Sequence, residues 1–195
     1  MKLVLASKNE KKLKEMNEIL SALGVEVCLQ ADVGVDVDVE ETGTTFEENS
    51  LLKAKAVMEA SGLPAVADDS GLCVDALNGG PGVYSARYGG EGLDDAGRYK
   101  LLLASMPKGA PRTARFVSVI TCCFPNGGVL TARGDCPGTI AFAPMGEGGF
   151  GYDPVFFLPG LKKTFAQLSA EEKNAVSHRG KALEAFQAKL EEYLK

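Results

Sequence analysis

One short stretch constrains this chain more than any other, Ala65-Val66-Ala67-Asp68-Asp69-Ser70-Gly71. Its first half is uncharged, small or β-branched, and entered through Pro64, which predicts a buried strand. That strand runs straight into two carboxylates, a hydroxyl and a glycine. In an open α/β sheet, ligands bind in the crevice outside the carboxyl ends of strands, so acids placed there face a site. Successive side chains leave a strand on opposite faces, so one aspartate of the pair is expected to look into the crevice. The local alternative is a plain Asp-Ser-Gly turn, which those residue types favour on their own.

A buried strand has to be covered, and the chain has the means. Its 195 residues are 45% hydrophobic, which suits one domain, or one domain with two lobes, with a sizeable core. The net charge of −5 has the wrong sign for a nonspecific nucleic-acid binder, although a local basic cluster can still serve a small anion. Leu3-Val4-Leu5-Ala6 is far too short for the apolar region of a signal peptide. The longest apolar-rich stretch, Phe116 to Phe124, is too short to span a bilayer, so the expectation is a cytosolic protein with no membrane partner. Five cysteines without paired CxxC spacing fit buried thiols in a reducing compartment. With His178 the only histidine, zinc is not expected; a metal, if one takes part, should be a hard cation held by carboxylates.

Lys2 to Ala6 predicts a first buried strand. Leu13, Met16, Leu20 and Leu23 then recur at helical spacing as far as Gly24. Between them lies Ser7-Lys8-Asn9-Glu10-Lys11-Lys12, which crowds cations onto a helix N-terminus, where the macrodipole disfavours them. Such a run fits either a solvated charged face or a phosphate site built from backbone N–H groups and lysines. Val33, Val35, Val37 and Val39 alternate with Gly34, Asp36, Asp38 and Glu40, the pattern of an edge strand with a solvated acidic face. Glu40 and Glu41, at the end of that row, are the acids better placed to hold a cation. Thr44-Thr45-Phe46-Glu47 has capping-box spacing and opens a helix that runs to Gly62.

Beyond Gly71, Asp94 to Ser105 reads as a helix, and Thr113 to Phe124 with Val129 to Asp135 reads as a long hairpin. A second dense cluster follows at Gly146 to Pro154. There the glycines bring backbone close to a ligand, Phe150 and Tyr152 offer flat faces for a base, and Asp153 offers an acceptor. Ser169 with Glu172 forms another capping box and opens a helix carrying Lys173. His178 and Arg179, beyond it, make a donor-rich pair suited to carbonyl oxygens and phosphates.

Taken in order, these stretches resemble the inosine/xanthosine triphosphate pyrophosphatases, over almost the whole chain. The anchors are the SxNxxK loop at Ser7 to Lys12, EETGTTFEENSLLKA at Glu40 to Ala54 and ADDSGLCVDAL at Ala67 to Leu77. PGVYSARY at Pro81 to Tyr88, GGFGYDPVF at Gly148 to Phe156 and EEKNAVSHRG at Glu171 to Gly180 complete the set. The resemblance implies an elongated, two-lobed α/β fold with a mixed, twisted sheet and a central nucleotide-binding cleft. It implies hydrolysis of ITP, dITP or XTP to the monophosphate and pyrophosphate, with Mg²⁺ required and Mn²⁺ a substitute. By motif, Asp69 would activate water and, with Glu40, hold the metal. Ser7, Lys8, Asn9, Glu10, Lys11 and Lys12 would hold the triphosphate, helped by Ser70 and Lys173. Phe150, Gly151, Tyr152, Asp153, His178 and Arg179 would enclose the base. Lys8 stands where many members have glycine, and a homodimer is the typical assembly.

The chemistry is consistent with that assignment. Water attacking a triphosphate needs a cation against the spreading charge and a carboxylate within reach of the water. Telling a 6-keto purine from adenine requires donors facing the carbonyl. Two alternatives remain at this stage: a sister pyrophosphatase with another base preference, and a noncatalytic nucleotide sensor that would not need Asp69.

Overall fold

The computed structural model describes all residues from Met1 to Lys195. Its elements in chain order are β1 (Lys2–Leu5), α1 (Glu10–Leu20), β2 (Glu26–Leu29), α2 (Phe46–Ser61), β3 (Ala65–Val74) and α3 (Asp95–Ser105). They continue with β4 (Thr113–Cys123), β5 (Val129–Ile140), β6 (Phe156–Leu158), β7 (Lys163–Thr164), α4 (Ala170–Val176) and α5 (His178–Tyr193). One mixed sheet has the order β2-β1-β3-β4-β5-β6-β7. β1 runs parallel to both β2 and β3, whereas β6 is antiparallel to β5 and β7. The α/β fold class read from the sequence holds.

By contact, the chain forms two compact units. The first comprises Met1–Asp69, Ser118–Gly134 and His178–Lys195; the second comprises Ser70–Val117 and Asp135–Ser177. In the first unit the period of two along β1 decides the layering. Leu3 and Leu5 face a cluster with Met16 and Leu20 of α1 and Ala182, Leu183 and Phe186 of α5. Val4 and Ala6 face the other way, onto Ala54 and Val57 of α2. Both faces of the sheet are therefore covered, which is why β1 is a continuous apolar run. In the second unit, Phe116, Phe156 and Phe165 pack ring on ring, with centroids 4.6 to 5.5 Å apart, around a core that includes Leu102, Tyr152 and Val155.

The helix boundaries follow local chemistry. Asn9 caps α1 by accepting from the N–H groups of Lys11 and Lys12, and Gly24, in the left-handed conformation, ends the 3-10 turn Ser21–Leu23 that follows α1. Thr45 with Glu48 and Ser169 with Glu172 form the capping boxes of α2 and α4.

Two strand expectations are corrected. β3 does not end at the aspartates: it continues through Asp68, Asp69, Ser70 and Gly71 to Val74. Ladder pairing and burial on both sides override the turn preference of Asp-Ser-Gly. Residues 33–39 form no strand; a 3-10 turn, Gln30–Val33, leads into an irregular strap. Its alternation reflects one-sided burial, since Val35 is buried and Val33 and Val37 pack on the α2 side. The buried Gln30 side chain supplies the backbone bonds a ladder would have given, donating to Val37 O and accepting from Val37 N–H.

Candidate active site

A cavity of about 310 Å³ opens in the first unit at the carboxyl end of β1. Its lining includes Ser7, Lys8 and Lys12 from the loop into α1, Asp38 and Glu41 from the strap, Lys53 from α2, and Asp68 from β3. The crevice rule therefore holds for β1, while β3 brings its acids alongside from mid-strand.

The two aspartates have different surroundings, as opposite faces of a strand require. Asp68 has no exposed side-chain surface; Lys12 Nζ lies 2.5 Å from Oδ1 and Arg179 Nε 3.1 Å from Oδ2. Ser118 Oγ, on β4, donates to Oδ2 at 2.7 Å. Burial works to raise this carboxyl, but the Arg179 and Lys12 charges outweigh it and hold it well below the usual carboxylate range. Lys12 is displaced downward, mainly by burial, with Asp68 opposing.

Asp69 instead belongs to a chain of three charges. Lys53 Nζ lies 2.9 Å from Asp69 Oδ1, 2.6 Å from Glu41 Oε1 and 3.0 Å from the Asp68 carbonyl, so all three ammonium protons have acceptors. The other oxygen, Asp69 Oδ2, is buried with no hydrogen-bond partner in the protein. One ammonium shared between two carboxylates leaves Asp69 under-compensated: burial raises its carboxyl, with Lys53 only partly reversing this. Lys53 is pulled down by burial but raised on balance by Asp69 and Glu41.

Ser7 Oγ accepts Asn9 N–H, and Asn9 takes the N–H groups of Lys11 and Lys12. Those amides are thus already bonded, and the helix start offers fewer free donors to an anion than the loop sequence predicts. Lys8 is exposed and pairs with Asp36 at 2.9 Å; Glu10 and Lys11 are also exposed. Glu40 is exposed, and it is its neighbour Glu41 that joins Asp69 through Lys53.

Arg179, expected at the base, makes its contacts within the protein to acids. It is buried at the start of α5, with Nε and Nη2 on Asp68 and Nη1 on Glu15. Its donors hold acids, and the shared acid ties it to Lys12. His178, beside it, is likewise buried.

In the second unit, Lys173 Nζ donates to Asp153 Oδ2 at 2.9 Å and lies 4.8 Å from the centre of the Phe150 ring. Its ammonium is buried in this pair rather than presented to solvent, and Asp153 also accepts the Phe150 N–H. Gly149 has φ of 69°, and a Cβ there would strike Asp153, so the glycine at that position is obligatory. Tyr152 is a core residue whose hydroxyl donates to Ser85 O at 2.6 Å, leaving Phe150 as the half-buried ring of the pair. The Gly151 N–H donates to Asp95, and Ser70 is half-buried on β3.

Sequence reasoning passed over Lys53, Ser118 and Glu15. A signal for Lys53 exists: Phe46, Asn49, Ser50, Ala54 and Val57 mark the buried face of α2, and Lys53 sits beside that face. A charge placed so requires partners.

A buried carboxylate oxygen without a partner is a hard ligand of the kind Mg²⁺ takes. No group of three or more His, Cys, Asp or Glu side chains stands together to cage a metal. One or two carboxylates can hold a hard cation whose shell is completed by water and substrate phosphates. No helix is long and apolar enough to cross a membrane.

The Ham1 family model matches residues 3–189. A dITP/XTP pyrophosphatase of Desulforamulus reducens is 52% identical over 186 residues, 94% of this chain and 92% of that protein. Among solved structures, a HAM1 protein from Coxiella burnetii superposes with a TM-score of 0.91 at 44% identity, covering 98% of this chain and 99% of that one. The Staphylococcus aureus Ham1 protein gives 0.90 at 44% identity, covering 99% and 100%. With nearly every element matched in both sequence and backbone, the chain belongs to the Ham1 family.

Proposed function

We propose that the chain hydrolyses noncanonical purine nucleoside triphosphates, ITP, dITP and XTP, to the monophosphate and pyrophosphate. The observation that carries this reading is Asp69. Its carboxylate is tied through one oxygen to Lys53 and Glu41, and its other oxygen is buried and unpartnered.

In this reading Asp69 accepts the proton of the water that attacks the α-phosphorus, and the α–β phosphoanhydride bond breaks with pyrophosphate leaving. A carboxyl raised above its ordinary value is the better base near neutral pH. Lys12 presents its ammonium to the cavity from its anchor on Asp68 and binds phosphate oxygens. Lys53, with every proton already taken, orients Asp69 and Glu41. Asp69 with Glu40 or Glu41 would hold Mg²⁺, with Mn²⁺ as a substitute, which would counter the charge developing on the phosphates. Phe150, Gly151 and Asp153 keep the purine contact their motif implies, and His178 is the donor assigned to the 6-keto oxygen. A cytoplasmic homodimer belongs to the same proposal.

The test is a panel of ITP, dITP, XTP, GTP and ATP with Mg²⁺, read as pyrophosphate release. Turnover concentrated in the first three supports the reading. Binding without turnover would identify a sensor, and equal turnover of all five a general pyrophosphatase.

A further inference from the structure

The acidic turn Glu40-Glu41-Thr42-Gly43 belongs to no strand or helix, yet it delivers a carboxylate to the Lys53–Asp69 pair. Something must fix its backbone. The Gly43 N–H donates to Asn49 Oδ1 at 2.8 Å. The next two amides, of Thr44 and Thr45, donate to Glu48 Oε2 at 2.7 and 3.2 Å. Three consecutive backbone N–H groups are thus anchored to side chains of the first turns of α2.

Asn49 and Lys53 are four residues apart on that helix and so share a face. The helix holds the turn twice, by its backbone at Asn49 and by the Glu41 carboxylate at Lys53. The seat is tight: a Cβ on Gly43 would lie 2.6 Å from Asn49 Oδ1 and 2.7 Å from Glu48 Cβ. Asn49 is fully buried, and its Nδ2 has no hydrogen-bond partner in the protein. A buried amide with idle donors is unfavourable for stability alone. Its acceptor side is the part in use.

We infer that Asn49 is a positioning residue for the acids of the active site, acting through the Gly43 N–H to set where Glu40 and Glu41 stand relative to Asp69. The inference rests on the proposed roles of Asp69 and the acidic turn. It predicts a kinetic effect distinct from that of helix stability, because misplacing a reacting group by about 1 Å can cost a hundredfold in rate.

The experiment compares Asn49→Leu, of similar volume but without the acceptor, with Thr45→Ala, which weakens the helix cap and leaves Asn49 in place. Gly43→Ala, which displaces the turn by its Cβ, is the second route should Asn49→Leu not fold. Expected for Asn49→Leu are Gly43 amide exchange at least tenfold faster by NMR, kcat for ITP down roughly ten- to a hundredfold, and KM within about twofold. Gly43→Ala should reproduce the kcat loss at unchanged KM, and Thr45→Ala should lower the Tm with kcat retained. Unchanged Gly43 exchange in Asn49→Leu, or a kcat loss in Thr45→Ala as large as in the other two variants, overturns the inference. Failure of the wild-type protein to release pyrophosphate would instead count against the function, and the exchange comparison would still stand.

Discussion

Asp68 and Asp69 are consecutive, chemically identical and predicted to behave oppositely when each is replaced by asparagine. Asp68→Asn keeps the volume but withdraws the negative charge from the buried Arg179 and the half-buried Lys12. Breaking a buried ion pair from one side costs about 3–5 kcal/mol, a large part of a total stability of roughly 5–15. With a urea slope of about 2 kcal/mol per molar, the unfolding midpoint should fall by about 2 M. Asp69 carries the reverse sign. Burial raises its folded pKa, so its ionisation weakens the fold as pH rises through that value. Asparagine removes that penalty, and Lys53 keeps Glu41 as a partner. The Asp69→Asn midpoint should therefore lie within about 0.5 M of wild type, equivalent to less than one pKa unit. Turnover of ITP should nevertheless fall by ~10²–10⁴, as for a lost general base. The assay is urea unfolding by circular dichroism at neutral pH, beside pyrophosphate release. The reasoning is refuted if Asp68→Asn unfolds within 0.5 M of wild type, or if Asp69→Asn unfolds as early as Asp68→Asn.

Three further outcomes follow from the same contacts. Because Asp68 titrates below its unfolded value of about 3.9, its contribution is complete above that pH and lost only as pH falls through the folded value; acid unfolding should be flatter in Asp68→Asn, read by circular dichroism. Arg179→Ala removes the guanidinium that holds Asp68 and Glu15, so kcat/KM for ITP and for ATP should fall in parallel; a narrowed ITP-to-ATP ratio would instead assign Arg179 a base-reading role. Chelation should abolish turnover and Mg²⁺ restore it, and stoichiometric zinc in the purified protein would contradict a carboxylate-held hard cation.

Much of this was legible in the sequence where a local rule and the tertiary context agree. The helical spacing of Leu13, Met16 and Leu20 gave α1, and Ser169 with Glu172 gave the start of α4, because caps are decided within a few residues; the box expected over Thr44 to Glu47 lies one residue later, at Thr45 with Glu48. The strap at 33–39 shows the limit. Alternation reports which side is buried, not whether a neighbouring strand supplies the ladder; Gln30 takes that place, and no local pattern announces it. β3 shows the converse, with pairing and burial carrying a strand through residues that prefer a turn. Tyr152 and Phe150 look equivalent in the motif, and only packing separates the core ring from the half-buried one. The charge pairs were the least legible part: Asp68 meets Arg179 across 111 residues, a distance at which spacing carries no information.

The division of labour among the cations follows from counting their protons. Lys53 has three and three acceptors, all oxygens of the protein, so an arriving phosphate gains it only by displacing Glu41, Asp69 or the Asp68 carbonyl. Arg179, which is not among the residues lining the cavity, is committed at Nε, Nη1 and Nη2 to the carboxylates of Asp68 and Glu15. Lys12 differs from both. Its one ion pair is with Asp68, which leaves protons for the cavity it lines, and burial lowers its pKa by disfavouring the charged form that Asp68 supports. A polyanion entering the cavity would strengthen that charged form further. In the proposed function Asp68 would serve binding without touching the ligand: it favours the charged form of a half-buried lysine, and Arg179 and Ser118 keep Asp68 in place. Asp69, on the opposite face of the same strand, is left with a buried oxygen that has no partner in the protein, the oxygen the proposed reaction would use.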